Sequence, residues 1–523
     1  MENYYKDFGL KESCEIENKL IEFCKKYKEI FLYGAGIYGL EYLNILKKNN
    51  INIIGFITSN RLISEYYGFP VYTLSEIKLI LTKEQGIVLA VKEEFQREIL
   101  MQKYMFNRSN LFFMKNIDFA KLRSKIFFEK IDCLEKDFPV EKNFDSDAWK
   151  RILIVRLDAI GDLIWTTAFF RELKNNFPLS KITLVIRSQN KILVEKCPYI
   201  DKIILYDCSL YAGRFSNDMD NRAQVFAENY LKDKYDVVFL PRPIPRTLED
   251  AIENVLVSIY SGAKNRIARA DFVQDEERFL YEALKPLFSR IKKHKTPKHE
   301  VTRILELIKI CGGNVSNDKM ELWLGEEDKI FAKRSLKLKR NLLETNIVYV
   351  AVGLFSNDKN REWDINKYKK LIEKLHCKYR NKIVFVLLGK SAEPNIKYII
   401  KDQDMVINLI DNTNLSQVAA IINECDMYMG ANTGLLHMAS AFNKPVLEIS
   451  AHLSAGKDTD GIAPLRTGAW RVKSYVIKPL VGLDDCKVFC KKTYAHCINQ
   501  ISVEDVQIIL MDMIKDFLKK KCR

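Results

Sequence analysis

Short apolar runs recur along the chain, each followed by a turn and then by apolar positions at helical spacing. At four to seven residues they have the length of strands enclosed on both faces of a parallel sheet. They fall at 30–33, 51–57, 68–71, 86–91, 152–155, 182–186, 203–206, 237–240, 347–352, 383–388, 406–409 and 426–429. Behind the run at 152–155, Leu163, Ile164, Ala168, Phe169 and Leu173 repeat with helical periodicity and stop near Asn175, Asn176 and Pro178. The first thirty residues read as a charged helix with Leu20, Ile21, Phe23, Cys24 and Tyr27 on its apolar side, and 299–313 as an amphipathic helix stopped by glycines. A last helix at 503–519 is expected to pack back across a cleft. Strand and helix alternate throughout, so the predicted class is α/β with parallel sheets.

The pattern divides the chain into an accessory Rossmann-like unit at 1–120, a helical connector at 121–150, and two further Rossmann-like units at 151–340 and 341–523 with a cleft between them. A chain of 523 residues suits three compact units. No apolar run approaches the ~18 residues of a membrane helix, and the amino terminus lacks the layout of a signal peptide. The expected location is therefore cytoplasmic, where the 12 cysteines stay mostly as thiols. The net charge of +15 is uneven: residues 1–150 hold 23 basic and 22 acidic side chains, against 60 and 46 in 151–523. Such a balance suits phosphorylated substrates or an anionic membrane face. No nucleic-acid motif is present, and the basic clusters at 290–298 and 333–340 are either solvated surface or peripheral membrane contacts.

Three stretches carry chemistry. In the first unit, GAGIYG puts Gly34, Gly36 and Gly39 at a strand-to-helix turn, the setting of a dinucleotide loop. The second strand, however, ends in Thr58, Ser59 and Asn60 rather than in an acid for the ribose, so the glycines either bind a nucleotide or only tighten the turn. In the second unit, Asp162 stands where a strand hands over to a helix. It is the candidate general base for transfer to an acceptor hydroxyl; a helix start favours its ionised form, and an N-cap is its other reading. In the third unit, Asn432, Thr433 and Gly434 precede a helix whose first amides and dipole favour a diphosphate. His437 on that helix is either a hydrogen-bonding support or a packed residue. Cys486, Cys490 and Cys497, with His496 adjacent, have thiol spacing that suits zinc or iron, without a clear fourth ligand. Asp-x-Asp occurs at 145, 218, 402 and 458, too often to mark a metal site.

The stretch RILIVRLDAIGDLIWTTAFFRELKNNF at 151–177 and the stretch GANTGLLHMASAFNKP at 430–445, taken together and in this order, resemble the glycosyltransferase family 9 enzymes. These are the ADP-heptose:lipopolysaccharide heptosyltransferases. The resemblance covers roughly 150–506. It implies the GT-B architecture and inverting transfer of a sugar, foremost heptose from ADP-heptose, to a lipopolysaccharide, capsule or lipid-linked glycan acceptor. It also implies no metal at the diphosphate and no required cofactor. Within LFSNDKNREW (354–363), Arg361 matches the family's diphosphate cation and Ser356 a hydroxyl donor; Glu393 matches a ribose-contacting carboxylate. The acid that contacts the donor sugar is replaced here by Asn432. In the heptosyltransferases that modify autotransporter proteins, similar cysteines hold iron. Transfer to a protein, and a non-catalytic sugar-nucleotide-binding scaffold, are the other two readings of the same residues.

Overall fold

The computed structural model describes residues 2–35, 37–58, 64–91, 110–115, 118, 131, 133–142, 145–207, 217–232, 234–244, 252–270, 284–294, 296–340, 347–379, 382–391, 400, 405–484 and 486–521. Among the described residues, three six-stranded sheets follow one another. The first contains β1 (Glu29–Tyr33), β2 (Ile53–Thr58), β3 (Glu65–Tyr66), β4 (Phe69–Thr73), β5 (Gln85–Leu89) and β6 (Leu111–Phe112), in the order β3-β4-β2-β1-β5-β6. Only the β3–β4 pair in it is antiparallel. Its helix Glu2–Cys24 buries Leu20, Ile21 and Cys24 against the sheet.

The second sheet has β7 (Arg151–Arg156), β8 (Lys181–Ile186), β9 (Lys202–Leu205), β10 (Val237–Ile244), β11 (Asn265–Ala270) and β12 (Arg290–Lys293). The third has β13 (Val348–Gly353), β14 (Ile383–Leu388), β15 (Val406–Asn408), β16 (Met427–Gly430), β17 (Val446–Ile449) and β18 (Ser474–Ile477). Both are fully parallel. Their orders are β12-β11-β10-β7-β8-β9 and β15-β14-β13-β16-β17-β18. Each sheet therefore starts in its middle and winds outward both ways, so its direction reverses between the first and fourth strands. That switch point, beyond the carboxyl ends of the strands, is where doubly wound sheets receive ligands. It lies between β7 and β10 in one unit and between β13 and β16 in the other.

One continuous apolar core joins the two units: Ile164, Ala168 and Phe169 from helix Ile160–Asn176 share it with Tyr349, Ile421, Leu436 and Ala439. The outer faces carry separate cores. Helix Glu326–Arg340 packs against helix Leu415–Glu424 of the third unit, tied by Ser416 Oγ to Asp328 at 2.9 Å. The last helix, Val503–Lys521, does not follow the expected path across the cleft. Its apolar face of Val503, Val506, Leu510 and Ile514 joins the outer core of the third unit, beside helix Ile365–Tyr379. Ion pairs Lys374–Glu504 and Lys473–Asp516 border it. An apolar stripe of this width is buried more fully on a sheet face than over an open cleft. Among the described residues no helix is long and apolar enough to cross a membrane.

Candidate active site

β7 ends in Arg156, whose guanidinium is 1% exposed and organises the turn behind it. Its Nη2 and Nε donate to the carbonyl of Asp162 at 3.0 and 3.2 Å. Nη2 also lies 3.4 Å from Asp162 Oδ1, and Nη1 3.0 Å from Asp158 Oδ2. Asp158 is fully buried and pairs with Arg242 from β10 as well. Held between two guanidiniums, it is a structural acid. Asp162 keeps 34% of its side chain exposed. Two expectations for it change. Ala159, with no side-chain hydrogen bond, occupies the N-cap, and Asp162 sits three residues further on, reaching back to the Ala159 amide. Its carboxyl is pushed upward from the ordinary aspartate range: burial is the largest cause, Arg156 opposes it, and the nearby Glu300 carboxylate adds to it. Desolvation thus outweighs the helix-start field expected to favour the ion.

The loop 431–434 follows β16 and opens helix Gly434–Ala441, with Thr433 at its N-cap. This helix meets helix 160–176 start to start. A Cβ on Gly434 would lie 2.8 Å from Ile160 Cγ2, and one on Gly161 would lie 2.7 Å from His437 Cδ2. Only glycines permit that approach, and it brings two stretches some 270 residues apart, on the scale of the sequence, to one point. Two sets of unsatisfied amides converge there with Asp162 at the edge, a setting for an anionic group that leaves as a base takes a proton. His437 is 2% exposed and packs edge-on to Trp165, ring centroids 4.7 Å apart. Burial lowers its pKa to about 3, so the ring is neutral.

Across the cleft lies a cluster that no sequence pattern indicated. Glu300, 3% exposed at the start of helix Glu300–Lys309, pairs with Arg269 and Arg303 of its own unit and with Arg466 of the third unit at 2.8 Å. These cations hold its carboxyl far below the usual range against the cost of burial. Next to it, His299 Nδ1 accepts from the Val301 amide, leaving Nε2–H to donate to the Gly468 carbonyl at 3.0 Å. Burial brings its pKa down to about 4, which agrees with that neutral tautomer. The ring stacks on Trp470 at 4.4 Å.

The segment 354–363 leaves β13 beside β16, on the same sheet edge as Asn432. Arg361 is half-buried and pairs with Asp358 at 2.8 Å. Ser356 Oγ accepts from the Asp358 amide, and its own amide donates to Glu362. Both make these contacts within their own loop. Asn432 Nδ2 donates inward to Glu448 and Thr467.

Below this loop the cysteine segment forms a cluster. Sγ of Cys486, Cys490 and Cys497 and Nδ1 of His496 all lie within 4.8 Å of one another. His496 Nδ1 is 3.3 Å from Cys497 and 3.8 Å from the other two sulfurs, and its Nε2 meets Asp484 at 3.0 Å. Three thiols, one imidazole and a carboxylate behind the imidazole fit a tetrahedral metal, and His496 offers the fourth donor the sequence left open.

Glu393, Gly36, Ser59 and Asn60 lie outside the described residues. Gly34 has a φ of +118°, and a Cβ there would sit 2.5 Å from the Ala90 carbonyl; one on Gly39 would sit 2.1 Å from the Gly34 carbonyl. Packing alone requires both glycines.

Residues 274–470 match the family model described as glycosyltransferase family 9 (heptosyltransferase). The chain is similar to the lipopolysaccharide core heptosyltransferase OpsX of Haemophilus influenzae, 21% identical over 313 residues covering 59% of this chain and 80% of that protein. It is also similar to lipooligosaccharide heptosyltransferase 2 of Haemophilus ducreyi, 23% identical over 56% of this chain and 81% of that one. Among solved structures, the family 9 glycosyltransferase of Veillonella parvula matches with a TM-score of 0.55 at 16% identity, covering 70% of this chain and 98% of that one. The E. coli ADP-heptose lipopolysaccharide heptosyltransferase II matches with a TM-score of 0.50 at 16% identity, covering 71% and 100%. At such identities the likeness establishes the GT-B fold of the second and third units.

Proposed function

We propose that this chain acts as a glycosyltransferase of family 9 and moves heptose from ADP-heptose to a lipopolysaccharide-type acceptor with inversion. Asp162 is the base: it takes the proton of the acceptor hydroxyl as that oxygen attacks the anomeric carbon and the diphosphate departs. The diphosphate lies at the amino terminus of helix 434–441, on the amides around Thr433 and Gly434. Asn432 faces the sugar, and Ser356 and Arg361 reach the phosphates once Arg361 exchanges Asp358 for them. The observation that carries this reading is the Gly161–Gly434 contact, which sets Asp162 beside the 432–434 loop. The acceptor enters from the second unit, on the cytoplasmic membrane face. Its anionic groups would meet the basic edge at β12, where a cavity of about 430 Å³ is lined by Lys142, Lys285, Arg290, Lys292 and Lys293 among others.

No divalent ion is needed at the diphosphate, because amides and Arg361 supply the positive field. Cys486, Cys490, His496 and Cys497 hold zinc or iron as a brace away from the reacting atoms. The test is transfer from ADP-heptose, against UDP- and GDP-sugars, to a deacylated lipopolysaccharide core, with and without EDTA. Turnover with ADP-heptose that survives EDTA is expected; transfer from another nucleotide sugar only, or restoration by magnesium, refutes this assignment.

A further inference from the structure

β17 is an apolar strand, Val446, Leu447 and Ile449, interrupted by one acid. Glu448 is 0% exposed and pairs in register with Gly430, immediately before the 431–434 loop. Its Oε1 accepts from Asn432 Nδ2 at 3.2 Å, while Oε2 is enclosed beside Gly468 with no hydrogen-bond partner. A buried carboxyl with one unsatisfied oxygen weakens a core, and such groups cluster at working sites.

The geometry around Asn432 shows what the acid does. Its Nδ2 also points to Thr467 Oγ1 at 3.3 Å, and that hydroxyl spends its own proton on the Ala463 carbonyl at 3.3 Å. Both amide protons of Asn432 are therefore directed inward, one to a carboxylate and one to a hydroxyl lone pair. A carboxylate only accepts, so turning the amide over would set Oδ1 against it. We infer that Glu448 is a positioning residue that locks Asn432 with its NH₂ group inward, so that the loop offers the donor sugar an acceptor oxygen and thereby selects a sugar hydroxyl at that point. This rests on the reading that the 432–434 loop receives the donor, and it names the feature of the sugar recognised there.

The lock responds to protonation. Burial pushes the Glu448 carboxyl up to about 7, against the pull of Asn432, Ser450 and Lys478. The groups facing it are Asn432 from the loop after β16, Thr467 and Gly468 from the end of helix Pro464–Thr467, Ser450 beyond its own strand, Lys478 after β18, and Tyr428 on β16. Once protonated, the carboxyl can donate to Oδ1, and the amide is free to turn.

Two measurements on the full chain test this. With ¹⁵N-asparagine label, the side-chain amide signal missing from Asn432→Asp is followed from about pH 5.5 to 8.5. It should titrate once near neutrality in the wild type and stay flat in Glu448→Gln. In the transfer assay, Glu448→Gln should raise donor KM about tenfold with kcat changed far less. Asn432→Asp sets two carboxylates together and should lower kcat/KM about a hundredfold; adding Glu448→Gln should recover at least about tenfold of that. A wild-type amide that does not titrate overturns the lock. An amide that titrates while Glu448→Gln leaves donor KM unchanged, or a double variant no better than Asn432→Asp, overturns its role in selection. If ADP-heptose is not a substrate at all, the functional reading fails while the amide titration still decides the lock.

Discussion

At the scale of single residues, Asp162 as the proposed base carries two opposing demands. A base must be ionised to accept a proton, yet burial favours its neutral form, with only Arg156 and the Ala159 amide pulling the other way. Its folded pKa lies above the unfolded value. The neutral form is thus the one folding favours, and the group's contribution to stability falls as pH rises past the unfolded value. Activity moves in the opposite sense, so kcat/KM should rise with pH along a limb set above the usual aspartate range. Asp162→Asn keeps a polar group near Arg156 and removes a partly buried charge. It should lower turnover ~10²–10⁴-fold while leaving the thermal midpoint unchanged or higher. Kinetics and calorimetry on one preparation check this; near wild-type turnover in the folded variant would remove Asp162 from the mechanism. The sequence marked Asp162 because an Asp after a Gly at a strand-to-helix turn is a local signal. It did not mark Arg156 as the organiser of that turn, since an Arg closing a strand looks like any edge cation until its carbonyl and carboxylate partners are in view. Glu448 did carry a signal, an acid inside a four-residue apolar run, but in a longer stretch read as a motif followed by Lys-Pro the strand itself went unrecognised.

At the scale of elements, the cysteine segment and the loop after β13 belong together. Asn360 Nδ2 donates to the Lys492 carbonyl at 3.1 Å, Trp363 Nε1 to Ile501, and Lys367 to Asn499 and Ile501. The segment that carries Arg361 is thereby hung on the one that carries Cys486, Cys490, His496 and Cys497. Metal in that cluster would stiffen the loop without touching substrate. Cys497→Ala should lose the ion by elemental analysis, lower the thermal midpoint, and raise donor KM more than it lowers kcat. An unchanged metal content would remove Cys497 from the ligand set. The glycine loop of the first unit is a second element-level case. Gly34 is fixed by its φ and by the Ala90 carbonyl, and Thr58 supplies no ribose acid. NAD should show no micromolar binding to the full chain by titration calorimetry, while Gly34→Ala should lower the unfolding midpoint of this unit. Strands with uninterrupted apolar centres were legible to within a residue or two, β7 and β14 among them. β12, RIKK, reads as a basic surface cluster because an edge strand needs only half its side chains buried. The final helix was legible as a helix but not in its docking, since periodicity gives the apolar face and not the surface that meets it.

At the scale of the whole molecule, the cleft is framed by a charge arrangement that spans the second and third units. Glu300 belongs to the second unit and Arg466 to the third; the described seam between them also includes His299 on the Gly468 carbonyl and Arg471 on Asp318 at 2.6 Å. Glu300 pairs with Arg269, Arg303 and Arg466 together. Its pKa is depressed, so the stability it contributes is full above the ordinary glutamate range and is lost only as pH falls below it. At any neutral assay pH the seam is charged and closed. The two sides of the pair differ in what removal leaves behind. Arg466→Met takes away one of three cations, and Glu300 keeps Arg269 and Arg303. Glu300→Gln takes away the anion that three guanidiniums share in a buried space, which typically costs about 3–5 kcal/mol. Denaturant unfolding should therefore find Glu300→Gln clearly less stable than Arg466→Met. Arg466→Met should act mainly on the relation between the units, separating one cooperative transition into two and raising donor KM, because the two helix starts at Gly161 and Gly434 meet only while the seam holds. Equal destabilisation by the two variants, or an unsplit transition with unchanged KM in Arg466→Met, would show that the apolar core shared by the two units suffices to hold the cleft.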